Sequence, residues 1–117
     1  MEKWMPDPTS RQQAVRFIIK SRTDRQKFFP STLFSEPAWD MLLKLYEAAG
    51  EQRSLSISKL AKAASVEPFT AARWVSALEG HGLVSLRSAR GVQSVALSET
   101  GWLAMDSYFE NMSSGMI

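Results

Sequence analysis

The chain has 117 residues, 14 Lys+Arg against 12 Asp+Glu, a formal net charge of +2 and no cysteine. That length allows one small domain, with an extension, rather than two domains. Missing cysteines exclude a disulfide scaffold, a Cys-ligated zinc finger, a thiol nucleophile and a redox motif. A single histidine, His81, argues against a His-rich metal site or a Ser-His-Asp triad. A hydrophobic content of 44% suits a folded chain rather than a disordered one. No apolar run approaches the roughly 18 residues of a membrane span. Met1 to Asp7 lacks the basic-then-apolar order of a secretory leader. These features predict a cytoplasmic, non-catalytic domain with no metal and no cofactor.

The distribution of charge says more than its sum. Met1 to Pro37 carries a net +3, Ala38 to Gln52 −2, Arg53 to Leu97 +4 and Ser98 to Ile117 −3. A clustered basic segment is the electrostatic footprint of a nucleic-acid binder, although such imbalances also occur on plain solvated faces.

In chain order, Pro6 and Pro8 mark a loose lead-in. Thr9 or Ser10 is placed to cap a helix to about Lys20, with Ala14, Val15 and Ile18 on one side. Arg22, Arg25 and Lys27 follow as a solvated face or a phosphate or partner contact. Phe28 and Phe29 come before Pro30, and Pro30 and Pro37 bracket an irregular stretch containing Leu33 and Phe34. Ala38 to Ala49 is predicted as the central helix, with Pro37 near its start and Gly50 just past its end. Its Trp39, Leu42, Leu43 and Tyr46 fall at i, i+3, i+4, i+7, and Met41, Leu45 and Ala48 widen that stripe.

Ser56 reads as the N-cap of a short helix in which Ile57, Leu60, Ala61 and Ala64 repeat the spacing. Ser65, Val66 and Glu67 form a three-residue break. Pro68 opens the next helix, with Ala71, Trp74, Val75 and Leu78 facing inward and Gly80 and Gly82 stopping it. Trp74 is expected in the core, and Trp39 and Trp102 in the core or an interface. His81 is expected at the surface by the helix end. Leu83 to Arg87 and Val92 to Leu97 are strand candidates joined by Ser88-Ala89-Arg90-Gly91. Ser98 is placed to cap a last helix to about Met112, carrying Trp102, Met105, Phe109 and Met112. Residues 113–117 are expected to fray.

Two short amphipathic helices with a tight break, then a hairpin, make a winged helix-turn-helix. The fold class expected is mainly α with a small β-hairpin wing. Residues 1–37 form an arm with a helix for packing or dimerisation, and 38–112 form the winged domain.

Three stretches resemble the MarR-type winged-helix family of transcriptional regulators. SISKLAKAASV (Ser56 to Val66) is similar to its capped short helix. TAARWVSALEGHGLV (Thr70 to Val84) resembles its recognition helix, ending in Leu78, Glu79, Gly82, Leu83 and Val84. RGVQSVALSETG (Arg90 to Gly101) resembles the wing arginine, the returning strand and the Leu-Ser-x-x-Gly lead into the last helix. Together they cover roughly Leu55 to Trp102. Ser88 stands where the family has an acidic residue that helps hold the wing arginine.

The resemblance implies sequence-specific binding of double-stranded DNA, with the helix at about 68–80 in the major groove and the wing at about 83–97 on flanking DNA. The outward face of that helix carries Phe69, Thr70, Ala72, Arg73 and Ser76. Arg73 is suited to a bidentate guanine contact, and Thr70 to a base or a phosphate. Phe69 faces either a thymine methyl or the preceding helix. Arg53, Lys59 and Lys62 are placed to neutralise phosphates, and Arg87 and Arg90 to reach DNA from the wing. The partners expected are double-stranded DNA and a second copy of the chain, with a small-molecule effector or a protein partner as further options. The short chain after the wing implies that the N-terminal third helps build the dimer. The alternative is a winged-helix protein-interaction module without DNA specificity.

Overall fold

The computed structural model describes residues 10–25 and 36–115, and the side chains of 11–24 and 36–111. The elements in order are α1 (Ser10–Arg25), α2 (Pro37–Gly50), α3 (Ile57–Ala64), α4 (Pro68–Gly80), β1 (Val84–Ala89), β2 (Val92–Leu97) and α5 (Glu99–Gly115). The fold is mainly helical, with one antiparallel hairpin. The readings at Thr9, Lys27, Phe28, Phe29, Leu33, Phe34 and the last two residues fall outside the described residues, as does the side chain of Arg25.

α2 is the hub, packing against α1, α3, α4, α5 and β2. Met41, Leu43, Leu45, Tyr46 and Ala48 are each at most 1% exposed. The residues expected to widen the stripe, Met41, Leu45 and Ala48, are as enclosed as Leu43 and Tyr46, while Trp39 and Leu42 stay half-buried. A helix enclosed on several sides buries more than one stripe.

α1 extends past the expected end at Lys20 to Arg25. Its last turns are held by charge. Lys20 pairs with Asp24 at 2.8 Å, and Arg22 donates to Glu36 at 2.8 Å and to Asp40. Glu36 and Asp40 lie beyond a proline-bounded stretch, so local pattern gave no reason to extend the helix. Arg22 is correspondingly not a solvated cation, with its side chain only 17% exposed. On the inner face, Val15 is buried, and so is Gln12, whose Nε2 donates to the Glu47 carbonyl at 2.8 Å. Gly50 makes room for that carboxamide, since a Cβ there would lie 2.0 Å from Gln12 Oε1.

The helix-turn-helix follows from local chemistry. Ser56 caps α3 by accepting from the Lys59 amide at 3.1 Å. Ser65 takes a left-handed conformation, and the amides of Ser65 and Val66 close the helix onto Lys62 and Ala61 carbonyls. Pro68 then starts α4, where its missing N–H costs no hydrogen bond. Ala71, Val75 and Leu78 face the core.

Gly82, at φ +75°, turns the chain into β1. The hairpin register pairs Val84 with Leu97 through to Ala89 with Val92. β2 spans the expected Val92–Leu97, while β1 starts one residue later than expected and runs two further, to Ala89, so the connection shrinks from four residues to Arg90-Gly91. Both residues have positive φ, +54° and +76°, the geometry of a type I′ turn. Leu55, not assigned from the sequence, forms an isolated bridge to Val95 with hydrogen bonds of 2.8 and 2.7 Å.

The Leu97-Ser98-x-x-Gly101 motif has a physical basis here. Leu97 is core. Ser98 Oγ accepts from the Gly101 amide at 2.9 Å and donates to the Gly82 carbonyl at 2.6 Å. A Cβ on Gly101 would lie 2.0 Å from the Leu83 carbonyl oxygen, so only glycine allows α5 to start this close to the turn. α5 continues to Gly115, three residues beyond the expected end at Met112. Tyr46 stacks on Phe109 with centroids 5.2 Å apart and lies against Trp102 at 4.6 Å. Trp102 is core as expected. No helix among the described residues is long and apolar enough to cross a membrane.

Candidate nucleic-acid interface

α4 presents two faces. Phe69, Arg73 and Ser76 are exposed, while Thr70 and Ala72 are half-buried beside them. Phe69 is 74% exposed, so it does not pack on the preceding helix. Trp74 departs from its expected place in the core, at 37% exposed. Its i, i+3, i+4, i+7 neighbours on the other side decide this. Thr70, Arg73, Trp74 and Ala77 line one shallow groove along α4. Trp74 sits at the edge of the apolar arc, and an indole is too large to follow Ala71 and Val75 inside. Periodicity alone could not tell the edge of the stripe from its centre.

The hairpin carries Arg87, paired across the strands with Ser94, and Arg90 at the turn; both are exposed. Arg90 is a non-glycine residue in the left-handed region. Asparagine would suit the first position of this turn better, because its side chain tolerates positive φ. An arginine held there costs about 1 kcal/mol of backbone strain.

Arg53, Lys59 and Lys62 come together, joined by Lys44 of α2, around a hollow between α2, α3 and their connecting loop. Lys44 was not among the sequence candidates. It lies far from Lys59 in the chain, within a helix dominated by core residues, and carried no local signal. Arg53 is not wholly available, because it donates to Glu51 at 2.8 Å. The structure thus gathers the expected residues into groups on α3, on α4 and on the hairpin rather than one contiguous list.

Ion pairing separates the cations. Arg11, Arg16, Lys20, Arg22, Lys44 and Arg53 each hold a carboxylate. Burial disfavours charge on Arg11 and Arg22, but Asp106 for the first and Asp40 with Glu36 for the second outweigh it and raise both pKa values. Among the described residues, Lys59, Lys62, Arg73, Arg87 and Arg90 make no ion pair. Every one of them lies on α3, α4 or the hairpin.

The fold recurs in solved structures. A MarR family protein from Bacillus stearothermophilus superposes with a TM-score of 0.59 over 90% of this chain and 73% of its own, at 19% identity. The fold is that of the MarR-type winged helix. A second winged helix, Mb0332 from Mycobacterium bovis, matches with a TM-score of 0.58 at 17% identity, over 90% of this chain and 88% of its own. It is described as a homodimeric winged helix-turn-helix DNA-binding domain of a possible ArsR-family transcriptional regulator. A mutant of MepR from Staphylococcus aureus, bound to oligodeoxyribonucleotide, matches with a TM-score of 0.54 at 17% identity over 89% of this chain and 74% of its own. At these identities the likeness is one of fold. No family model matches the chain. No curated protein matches it. In winged-helix terms, α3 and α4 are the helix-turn-helix and β1–β2 is the wing. MepR is described as a transcription regulator of a multidrug efflux pump.

Proposed function

We propose that the chain is a sequence-specific regulator of transcription that binds double-stranded DNA as a homodimer. The observation that carries this reading is the set of unpaired cations on α3, α4 and the wing, in a molecule that pairs its other described cations with carboxylates. Unneutralised cations on a surface attract a polyanion and release its counterions. α4 enters the major groove. Arg73 makes a bidentate contact with guanine O6 and N7, and Thr70 and Ser76 bond a base edge or a phosphate. Phe69 touches a thymine methyl. Arg90 and Arg87 reach the flanking backbone or minor groove. Lys59, Lys62 and Arg53 meet phosphates.

Residues 1–37 serve as the arm, and 38–112 as the winged domain. Phe17 on α1 and Leu103 and Tyr108 on α5 are exposed at 71%, 53% and 47%, and they supply apolar surface for pairing two copies. This agrees with Mb0332, described as homodimeric. A small-molecule effector is a further partner in this reading. BpsR of Bordetella bronchiseptica, a structural neighbour, is described as regulated in DNA binding by 6-hydroxynicotinic acid. The reading places the protein in the cytoplasm, at the nucleoid, with no enzymatic role. Selecting bound fragments from genomic DNA with the purified protein tests it. Enriched fragments should share a two-fold symmetric site, bound in a salt-sensitive way. Absence of salt-sensitive binding to any duplex, selected or random, overturns it.

A further inference from the structure

The hollow between α2 and α3 holds four basic side chains, Lys44, Arg53, Lys59 and Lys62, with Leu55 and Ala63 as its apolar lining. Among the described residues, no carboxylate lines it. Lys59 and Lys62 sit one turn apart on α3, both exposed and without a counter-ion. Lys44 is held from outside the hollow by Glu47 at 3.0 Å. Arg53 is held by Glu51, which accepts from its Nε at 2.8 Å and also from its terminal nitrogen.

Glu51 is placed there by the backbone. The amides of Glu51 and Arg53 both donate to the Ala48 carbonyl, at 3.0 and 2.8 Å, and the Gln52 amide donates to Ala49. Gln52 between them is left-handed, at φ +58°. This reversal sets the side chains of Glu51 and Arg53 against one another. Glu51 has a second partner, Arg16 of α1, at 3.1 Å. Both hydrogen bonds from Arg53 favour its charged form and hold its carboxyl below the usual range. The Glu51–Arg53 pair is half-exposed, with side chains 35% and 48% accessible, and exposed pairs of this kind exchange partners at little cost. A phosphate group offers more charge and more acceptor oxygens than a carboxylate, and Lys59 and Lys62 favour it further.

We infer that this hollow is a phosphate-binding site whose Arg53 is occupied by Glu51 until an arriving phosphate group displaces the carboxylate. The inference deepens the DNA-binding reading and rests on it for one source of the phosphate, the duplex backbone; the other source is a free phosphate ion. On displacement Glu51 keeps Arg16, so the carboxylate is not left unpaired.

The test uses the full chain and two exposed-site variants, Lys59→Gln with Lys62→Gln, and Glu51→Gln, each checked for folding by thermal melt. Binding of a short random-sequence duplex is followed by fluorescence anisotropy over a range of KCl. The double variant should bind more weakly, with a salt slope about 2 smaller in magnitude. Glu51→Gln should tighten binding about threefold, the scale of one exposed pair removed. Wild-type affinity and slope in the double variant overturn the site. Unchanged or weaker binding by Glu51→Gln overturns the role of Glu51. If the wild type binds no duplex, the DNA reading fails on its own, and an inorganic phosphate titration followed by amide NMR decides the site. Saturable shifts at Arg53 and Lys59 to Ala63, absent from the double variant, support a free-phosphate site; their absence from the wild type overturns it.

Discussion

The two halves of the molecule treat charge in opposite ways. In the layer built from α1, α2 and α5, arginines and lysines are tied to carboxylates. Arg11 reaches both Asp106 oxygens at 3.0 Å, Tyr46 donates to the same carboxylate at 3.0 Å, and Arg22 spans Glu36 and Asp40. On α3, α4 and the wing, the cations face solvent alone. The first pattern joins helices distant in sequence. The second contributes little to the fold and leaves charge available to a ligand. The difference separates residues whose loss should be felt in stability from residues whose loss should be felt in binding.

Asp106→Ala should give the largest effect on the paired side. It removes the acceptor shared by Arg11 and Tyr46, and the side chains of Asp106 and Arg11 are only 21% and 31% exposed. Chemical denaturation should show a loss of about 2 kcal/mol, with DNA affinity of the folded fraction unchanged. A loss confined to DNA binding would break the comparison. On the unpaired side, Arg73→Ala should lower affinity for a selected site by about 10- to 100-fold, as expected for a lost bidentate contact. Its unfolding midpoint should stay at the wild-type value. Equal loss on random and selected duplexes would instead make Arg73 a phosphate contact.

Arg90→Asn is a finer probe, because asparagine keeps the I′ turn while removing the charge. The salt slope of binding should shrink by about 1, and stability should hold or rise slightly. A drop in stability would mean that Arg90 supports the wing rather than DNA. The smallest effect concerns pH. The Glu51 carboxyl is depressed below its usual 4.5 by hydrogen bonds from Arg53 and Arg16. Its contribution to stability is therefore present above 4.5 and lost as pH falls through the depressed value. Both partners are well exposed, so solvent screening keeps this contribution small. Stability curves of wild type and Glu51→Gln should converge as the pH falls through that range, and curves that stay parallel would remove Glu51 as the cause.

Much of the fold was legible because its signals are local. Ser56, Pro68 and Gly82 act within one helical turn of their own positions, as does Ser98 where it caps α5 through the Gly101 amide, and each does what its residue type allows. The hairpin followed from alternation, and the MarR-like resemblance rested on these same signals. What escaped depends on distance. α1 runs to Arg25 because Asp40, eighteen residues beyond Arg22, takes its charge. Leu55 pairs with Val95, and nothing around Leu55 announces a strand. Trp74 satisfied the helical period yet stands half out of the core, since period locates a stripe but not the width of the space facing it.

Length, missing cysteines and a net charge of +2 determined by themselves what chemistry to set aside, and the +4 segment showed where excess charge lies along the chain. The helix-turn-helix and the wing were likewise written in local caps, breaks and periods. Only the tertiary structure decided which charges remain unspent. Pairing depends on carboxylates brought near from other helices, and a carboxylate within a few ångströms in space can lie tens of residues away in the chain. Arg11 and Arg73 are the same residue type, but α5 supplies Asp106 to the first, and among the described residues no acid is supplied to the second.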